Sequence, residues 1–143
     1  MLILGYGNVL RGDDGFGCCV VRALSAAVVD PEVDIRELHQ LTPELAEPVS
    51  RAAHVVFIDA ARDGPLGELR RVPVEAALAG AFTHHLTPAA LLACARELYG
   101  RAPAATLFSA AGACFDYTTD LSPRLQGAVN EAVRQVLSLL QDL

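Results

Sequence analysis

Residues 2–24 read LILGYGNVLRGDDGFGCCVVRAL and place a buried strand, a glycine-rich turn and the start of a helix in one run. The apolar segment LILGY (2–6) is typical of a strand that is covered on both faces. After the turn, apolar side chains recur at helical spacing and predict the inner stripe of a helix, formed by Phe16, Val20, Leu24 and Val28. A strand followed by a helix is the repeating unit of a parallel sheet with helices packed on it.

Four more segments have the character of strands. VDIREL (33–38) alternates, HVVFIDA (54–60) is an apolar run typical of a central parallel strand, and AATLFSAAG (104–112) predicts the last buried strand. GELRRVPV (67–74) is more polar, and Pro73 indicates that this strand lies at an edge of the sheet.

Three helix starts share one pattern, in which a hydroxyl residue at the N-cap precedes a proline at the first helical position. The pairs are Thr42-Pro43, Thr87-Pro88 and Ser122-Pro123. The third pair opens a long amphipathic helix whose apolar stripe is predicted to be Leu125, Val129, Val133, Val136 and Leu140. The alternation of strands and helices predicts a single α/β domain over residues 1–143. We expect a three-layer α/β/α sandwich with a mostly parallel five-stranded sheet.

The composition narrows the classes of function. The chain has 143 residues, of which 52% are hydrophobic and 20% charged, and its formal net charge is −6. A protein this acidic is not expected to bind nucleic acid or anionic membrane surfaces. Arg22 interrupts the longest apolar run, so we expect no membrane span, and no secretory leader pattern is visible. We therefore expect a cytoplasmic protein whose four cysteines are mostly small buried hydrophobic residues.

The glycine-rich turn resembles a dinucleotide-binding loop at first sight, because Gly5-Tyr6-Gly7 lies between a strand and a helix. Leu10 stands where the full fingerprint requires a third glycine. Asp13 and Asp14 also lie where a pyrophosphate would dock, and their carboxylates would repel it. One of these aspartates is explained as a helix-start residue, but capping alone does not explain two.

Other polar residues lie near the same predicted edge of the sheet. Asp59 ends the apolar segment HVVFIDA, and a carboxylate in that position is costly unless it is hydrogen-bonded, paired or bound to metal. A structural role for Asp59 in the turn with Ala60 and Ala61 is the alternative. His84 and His85 precede the third helix start, and two carboxylates with one imidazole form a plausible site for a divalent transition metal. His39 is a weaker candidate at the same edge, and His54 is expected at the opposite edge.

At the level of motifs, the chain resembles the nickel–iron hydrogenase maturation endopeptidases. The resemblance rests on GYGNVLRGDDGFG (5–17), on FIDA (57–60), on THHLTP (83–88) and on the last helix, LSPRLQGAVNEAVRQVL (121–137). It implies a single α/β/α domain that removes a C-terminal extension from a hydrogenase large-subunit precursor after nickel insertion. One departure is LHQLTPELAE (38–47), where many members carry a Gly-Gly-Thr type stretch that helps to select the substrate.

The resemblance also implies the site residues. Asp14, Asp59 and His84 match the three residues that bind metal in the family, and they are the predicted catalytic and metal-binding set. His84 is preferred to His85 because of its distance from the leucine and the helix start that follow. The implied metal is nickel supplied by the substrate, with no organic cofactor, and the implied partner is the large-subunit precursor.

The residues themselves leave two other classes of function open. A metal-binding checkpoint module that senses nickel without cutting would use the same three ligands. A nucleotide-binding module would not need Asp14. No serine has the glycine pattern of a nucleophile elbow, and Cys114 is the one cysteine that we retain as a possible nucleophile.

Overall fold

The computed structural model describes residues 1–78 and 86–142. Five strands in this part of the chain form one sheet: β1 (Leu2–Tyr6), β2 (Asp34–Leu38), β3 (His54–Leu66), β4 (Leu69–Pro73) and β5 (Ala104–Ala111). Their order across the sheet is β2-β1-β3-β5-β4. All neighbouring strands are parallel except β4, which pairs antiparallel with β5 at the edge. The mostly parallel five-stranded sheet and the edge position of the fourth strand are thereby confirmed.

Within the described residues, four α-helices cover the two faces of the sheet: α1 (Phe16–Ala27), α2 (Ala46–Arg51), α3 (Pro88–Tyr99) and α4 (Pro123–Asp142). Helices α1 and α4 bury their apolar sides against one face, on Ile3, Ile58 and Phe108. Helices α2 and α3 cover the other face, on Leu4 and Phe57. The chain is therefore the predicted three-layer α/β/α sandwich.

The third strand is longer than its sequence pattern indicated. The apolar pattern stops at Ala60, whereas β3 runs on to Leu66 with an irregularity between Ala61 and Leu66. Its pairing with β1 already stops at Ile58. Asp59 thus lies where the neighbouring strand has ended and not at the end of its own strand. The extension escaped the pattern because most of its side chains are exposed, and only Ala61 and Leu66 of it pair with β5.

The buried stripe of α4 also differs from the predicted one. The predicted residues Val129, Val133 and Leu140 are only partly buried, whereas Ala128 and Ala132 are fully enclosed between Leu125 and Val136. Helical periodicity is compatible with a stripe through the valines or with one through the alanines, and the prediction chose the valines because they are more hydrophobic. Ala128 and Ala132 pack into the core that α4 shares with the sheet and with α1, together with Leu125 and Val136.

The hydroxyl N-caps were predicted correctly at only one helix. The Thr87 hydroxyl accepts a hydrogen bond from the Ala90 N–H at 3.1 Å. Thr42 makes no such side-chain bond before the short 3-10 turn Pro43–Leu45. The Ser122 hydroxyl donates instead to Asp13, at 2.9 Å. The proline starts are nevertheless correct, since α3 begins at Pro88 and α4 at Pro123.

Candidate active site

A cleft of about 680 Å³ opens at the carboxyl edge of the sheet, beyond the ends of β1 and β2 and beside β3. The start of α3 forms its far wall. Ligands of open parallel sheets bind at this edge because the connecting loops diverge there. The described residues that line the cleft are Tyr6, Gly7, Asn8, Arg11, Asp14, His39, Gln40, Leu41, Asp59, Ala60, Arg62, Leu86, Thr87 and Pro88.

Asp14 reaches the cleft through the geometry of the glycine-rich turn. It belongs to a 3-10 turn, Gly12–Gly15, that leads into α1, and its Oδ2 accepts a hydrogen bond from the Asn8 N–H at 2.7 Å. Gly7 has φ 144°, and a Cβ at this position would lie 2.0 Å from the Asp14 carbonyl oxygen. Only glycine allows the two segments to approach this closely. The glycine therefore fixes where the Asp14 carboxylate stands.

The turn does not offer a cradle of N–H groups to a phosphate. The Gly12 N–H donates to the Thr118 carbonyl at 2.7 Å, and the Asp13 N–H donates to the Cys114 carbonyl at 2.8 Å. The Asn8 N–H is already bound to Asp14. These donors are satisfied within the protein, which argues against the nucleotide alternative.

Asp13 has a different role from Asp14, because the side chain of Asp13 is fully buried. Its carboxylate accepts hydrogen bonds from the N–H groups of Ala113, Cys114 and Ser122 and from the Ser122 hydroxyl, at 2.7–3.1 Å. Burial by itself raises the pKa of Asp13, but these four hydrogen bonds outweigh it and hold the pKa below its ordinary value. Only Asp14 therefore reaches the cleft, since Asp13 fastens the loop between β5 and α4.

Asp59 faces the cleft from β3, with most of its surface covered. Burial, followed by the negative charge of Asp14, raises the pKa of Asp59 to about 7. Hydrogen bonds from the Ala60 N–H and the Tyr6 hydroxyl, and the charge of Arg62, only partly oppose this rise. Burial also raises the pKa of Tyr6, and Asp59 raises it further, so Tyr6 stays a neutral donor. The charge of Asp14 disfavours the ionised form of Asp59, and a cation in the cleft would offset this repulsion.

The raised pKa of Asp59 predicts that the difference in stability between the wild type and Asp59→Asn depends on pH. Between about pH 4 and pH 7 the folded protein holds a proton on Asp59 that the unfolded chain has released, so the free energy of unfolding falls as pH rises. Asp59→Asn removes this effect. In urea titrations without metal, we expect the variant to gain on the order of 2–4 kcal/mol over the wild type between about pH 4 and pH 8. A difference that does not change with pH would contradict the assigned environment of Asp59.

The third predicted ligand, His84, lies outside the described residues, and so does His85. Leu86, the first described residue after them, lines the cleft. Within residues 1–78 and 86–142, no three His, Cys, Asp or Glu side chains stand close enough to hold a metal ion. The structure thus places Asp14 and Asp59 at one cleft, while the choice between the histidines stays a prediction.

The two other histidines lie at the edges of the sheet where they were predicted. His39 lines the cleft, whereas His54 opens β3 at the opposite edge and shares a 3.1 Å hydrogen bond with the Thr106 hydroxyl. Cys18 is buried, and burial raises its pKa to about 12, which makes it unreactive. Cys114 is half-buried and is not one of the described residues that line the cleft.

Several cleft residues were not singled out from the sequence, among them Tyr6, Arg11 and Arg62. Tyr6 is the last residue of an apolar strand, so its sequence position predicts a core residue. The two arginines lie in polar segments, where an arginine is expected at the surface. No spacing rule identifies them, because the chain segments that bring them together are distant in the sequence. The available signals were positional: Tyr6 and Arg11 lie inside the glycine-rich motif, and Arg62 stands three residues after Asp59.

Comparison with known proteins identifies the family. A hydrogenase 2 maturation peptidase from a Thaumarchaeota archaeon is 30% identical, with a TM-score of 0.76 over 98% of this chain and 97% of that one. The hydrogenase maturating endopeptidase HybD from E. coli is 24% identical, with a TM-score of 0.82 over 99% of this chain and 91% of that one. The [NiFe] hydrogenase maturation protease HycI from Thermococcus kodakarensis is 23% identical, with a TM-score of 0.78 over 98% and 91%.

No protein-family model and no curated protein matches the chain. The structural comparisons nevertheless place it among the peptide hydrolases. It belongs to the hydrogenase maturation endopeptidase family, as the 30% identity over almost the whole length of both chains shows. Among the described helices, none is long and apolar enough to cross a membrane.

Proposed function

We propose that this protein removes the C-terminal extension of a nickel–iron hydrogenase large-subunit precursor after nickel insertion, and that it recognises the nickel held by that precursor. The observation that carries the proposal is the pair of carboxylates, Asp14 and Asp59, that face one cleft at the carboxyl edge of the sheet. The free cysteines fit a reducing compartment, and we place the activity in the cytoplasm.

The chemistry of the cleft supports a metal-bearing substrate. Without a cation, one of the two carboxylates tends to stay protonated, since the pKa of Asp59 lies at about 7. A divalent ion brought by the substrate favours the ionised form of Asp59 and offsets the repulsion from Asp14. Carboxylates together with the imidazole of His84 are suitable ligands for nickel. We expect Asp14 and Asp59 to bind the ion from the described walls of the cleft, with His84 as the third ligand.

Docking on nickel gives a physical reason for cleavage to wait until the metal is present. The described residues that line the cleft include no serine and no cysteine, so we assign the attack on the peptide bond to a water molecule. Contacts with the substrate's nickel position the scissile bond, and positioning is a large part of a catalysed rate. A precursor without nickel lacks the partner for both carboxylates and stays uncut.

Mass spectrometry of a large-subunit precursor tests this function directly. Nickel-loaded and nickel-free precursor are each incubated with the protein, and the intact masses are compared. We expect loss of a C-terminal peptide from the nickel-loaded form alone. Equal cutting of both forms would contradict recognition through nickel. A precursor that is captured by the protein but stays whole would identify a checkpoint module without protease activity.

A further inference from the structure

Arg62 is a cleft residue that the proposed metal ligands do not account for. It follows Asp59 on β3 and lines the same cleft, and its positive charge is close enough to lower the pKa of Asp59. Its guanidinium carbon lies 4.2 Å from the centre of the Phe115 ring, in a stacked cation–π contact. The cleft therefore holds a fixed positive group beside its two carboxylates.

The aromatic platform under Arg62 is itself held in place. Phe115 belongs to the loop between β5 and α4, and its carbonyl accepts a hydrogen bond from Arg11 Nε at 3.3 Å. The Arg11 guanidinium also stacks on Tyr117, at 4.7 Å. The buried Asp13 binds the N–H groups of Ala113 and Cys114, immediately before Phe115. These contacts orient Phe115 and, through it, the plane of the Arg62 guanidinium.

Arg62 forms no direct ion pair within the part of the chain that the structure describes, although Asp59 is near enough for its pKa to be lowered by the Arg62 charge. Some arginines there are paired with an acidic side chain, as Arg22 is with Glu37, while others, such as Arg71, are not. Stacking occupies one face of the guanidinium and leaves its N–H edge free, and this edge matches the two oxygens of a carboxylate. The described contacts of Arg62 thus leave its hydrogen-bonding edge for a ligand.

We propose that Arg62 binds a carboxylate of the substrate polypeptide, next to the site that receives the metal. The inference rests on the proposed function and names a second recognition element for the same substrate. A cleft with two carboxylates at one position and a guanidinium at another selects a substrate whose cation meets Asp14 and Asp59 and whose carboxylate meets Arg62. This polarity fixes the direction in which the precursor lies across the site.

Measurements of KM and kcat on the nickel-loaded precursor distinguish direct binding of substrate by Arg62 from an indirect effect of its charge on Asp59. We expect Arg62→Ala to raise KM by about tenfold or more while kcat changes by less than about threefold, because a charge-assisted contact made on binding is lost. Arg62→Lys keeps the charge near Asp59 but loses the stacked, forked geometry, so it should recover only part of the loss. If Arg62 acts only through Asp59, the lysine variant will match the wild type and the alanine variant will lose kcat.

Arg71 supplies a matched control. It also stacks on an aromatic ring, with its guanidinium carbon 5.4 Å from the centre of Phe108, but it is not among the cleft-lining residues. Arg71→Ala should leave KM unchanged. An Arg62→Ala variant with the KM of the wild type would overturn the proposal.

A second measurement does not depend on a precursor. In an NMR titration with acetate, the Nε–H signal of Arg62 should shift, the signal of Arg71 should stay unchanged, and Phe115→Leu should weaken the shift. Absence of a shift at Arg62 would reject the carboxylate site. If the wild-type protein cuts no precursor but the Arg62 signal shifts, the protease assignment fails while the anion site stands.

Discussion

Asp59→Asn is expected to abolish processing of the nickel-loaded precursor, with a loss on the order of 100-fold or more, while the fold is retained. The asparagine keeps the shape of the side chain but removes the negative charge that the cleft directs at the metal. Because Asp59 carries a pKa of about 7, its ionised form is unfavourable without a cation, so neutralising it does not weaken the protein. Mass spectrometry of precursor cleavage measures the activity, and circular dichroism checks the fold.

Asp63→Asn is the matched control for this experiment. Asp63 stands four residues further along β3, is 91% exposed and pairs with Arg70 at the surface, 3.6 Å away. It does not belong to the set of described cleft residues. An exposed pair of this kind contributes little, and processing should stay within about twofold of the wild type. If Asp59→Asn still cleaves the precursor normally, the assignment of the site is wrong.

Asp13→Asn is expected to have the largest effect on stability, a loss of roughly 3 kcal/mol or more in the free energy of unfolding. The buried carboxylate of Asp13 accepts four hydrogen bonds, from Ala113, Cys114 and twice from Ser122. An amide group turns one acceptor into a donor and directs it at these N–H groups. Urea unfolding measures the loss, and for a domain of this size the melting temperature should fall by roughly 10 °C.

The pH dependence of this loss has a definite sign. The pKa of Asp13 is lower in the folded protein than in the unfolded chain, so its contribution is present above about pH 4 and declines as pH falls through the folded-state pKa. The difference between wild type and Asp13→Asn should therefore narrow in acid. Asp116→Asn serves as the control, since Asp116 is exposed in the same loop and accepts a weak hydrogen bond from the Cys114 thiol, at 3.8 Å. Equal effects of the two substitutions would show that Asp13 does not anchor the loop.

The neighbouring aspartates show how one motif serves two purposes. Asp13 is directed inward and fastens the loop that carries Phe115, while Asp14 is directed into the cleft and is oriented by the Asn8 N–H. The motif therefore couples the stability of the loop to the geometry of the site. A change at Asp13 is expected to disturb the cleft as well, although its carboxylate never meets the substrate.

The sequence by itself determined the layers of the fold, because apolar runs of strand length and helical stripes are local patterns that burial imposes. It also determined that Asp14 and Asp59 belong to one edge, since parallel strands end on the same side. Only the tertiary structure decided that Asp13 is buried, that alanines form the contact face of α4 and that Arg62 stacks on Phe115. These features depend on loops that are far apart in the chain and meet only after folding. The spacing of residues along the sequence does not reveal such contacts, whereas the periodicity of a strand or a helix is visible in neighbouring residues.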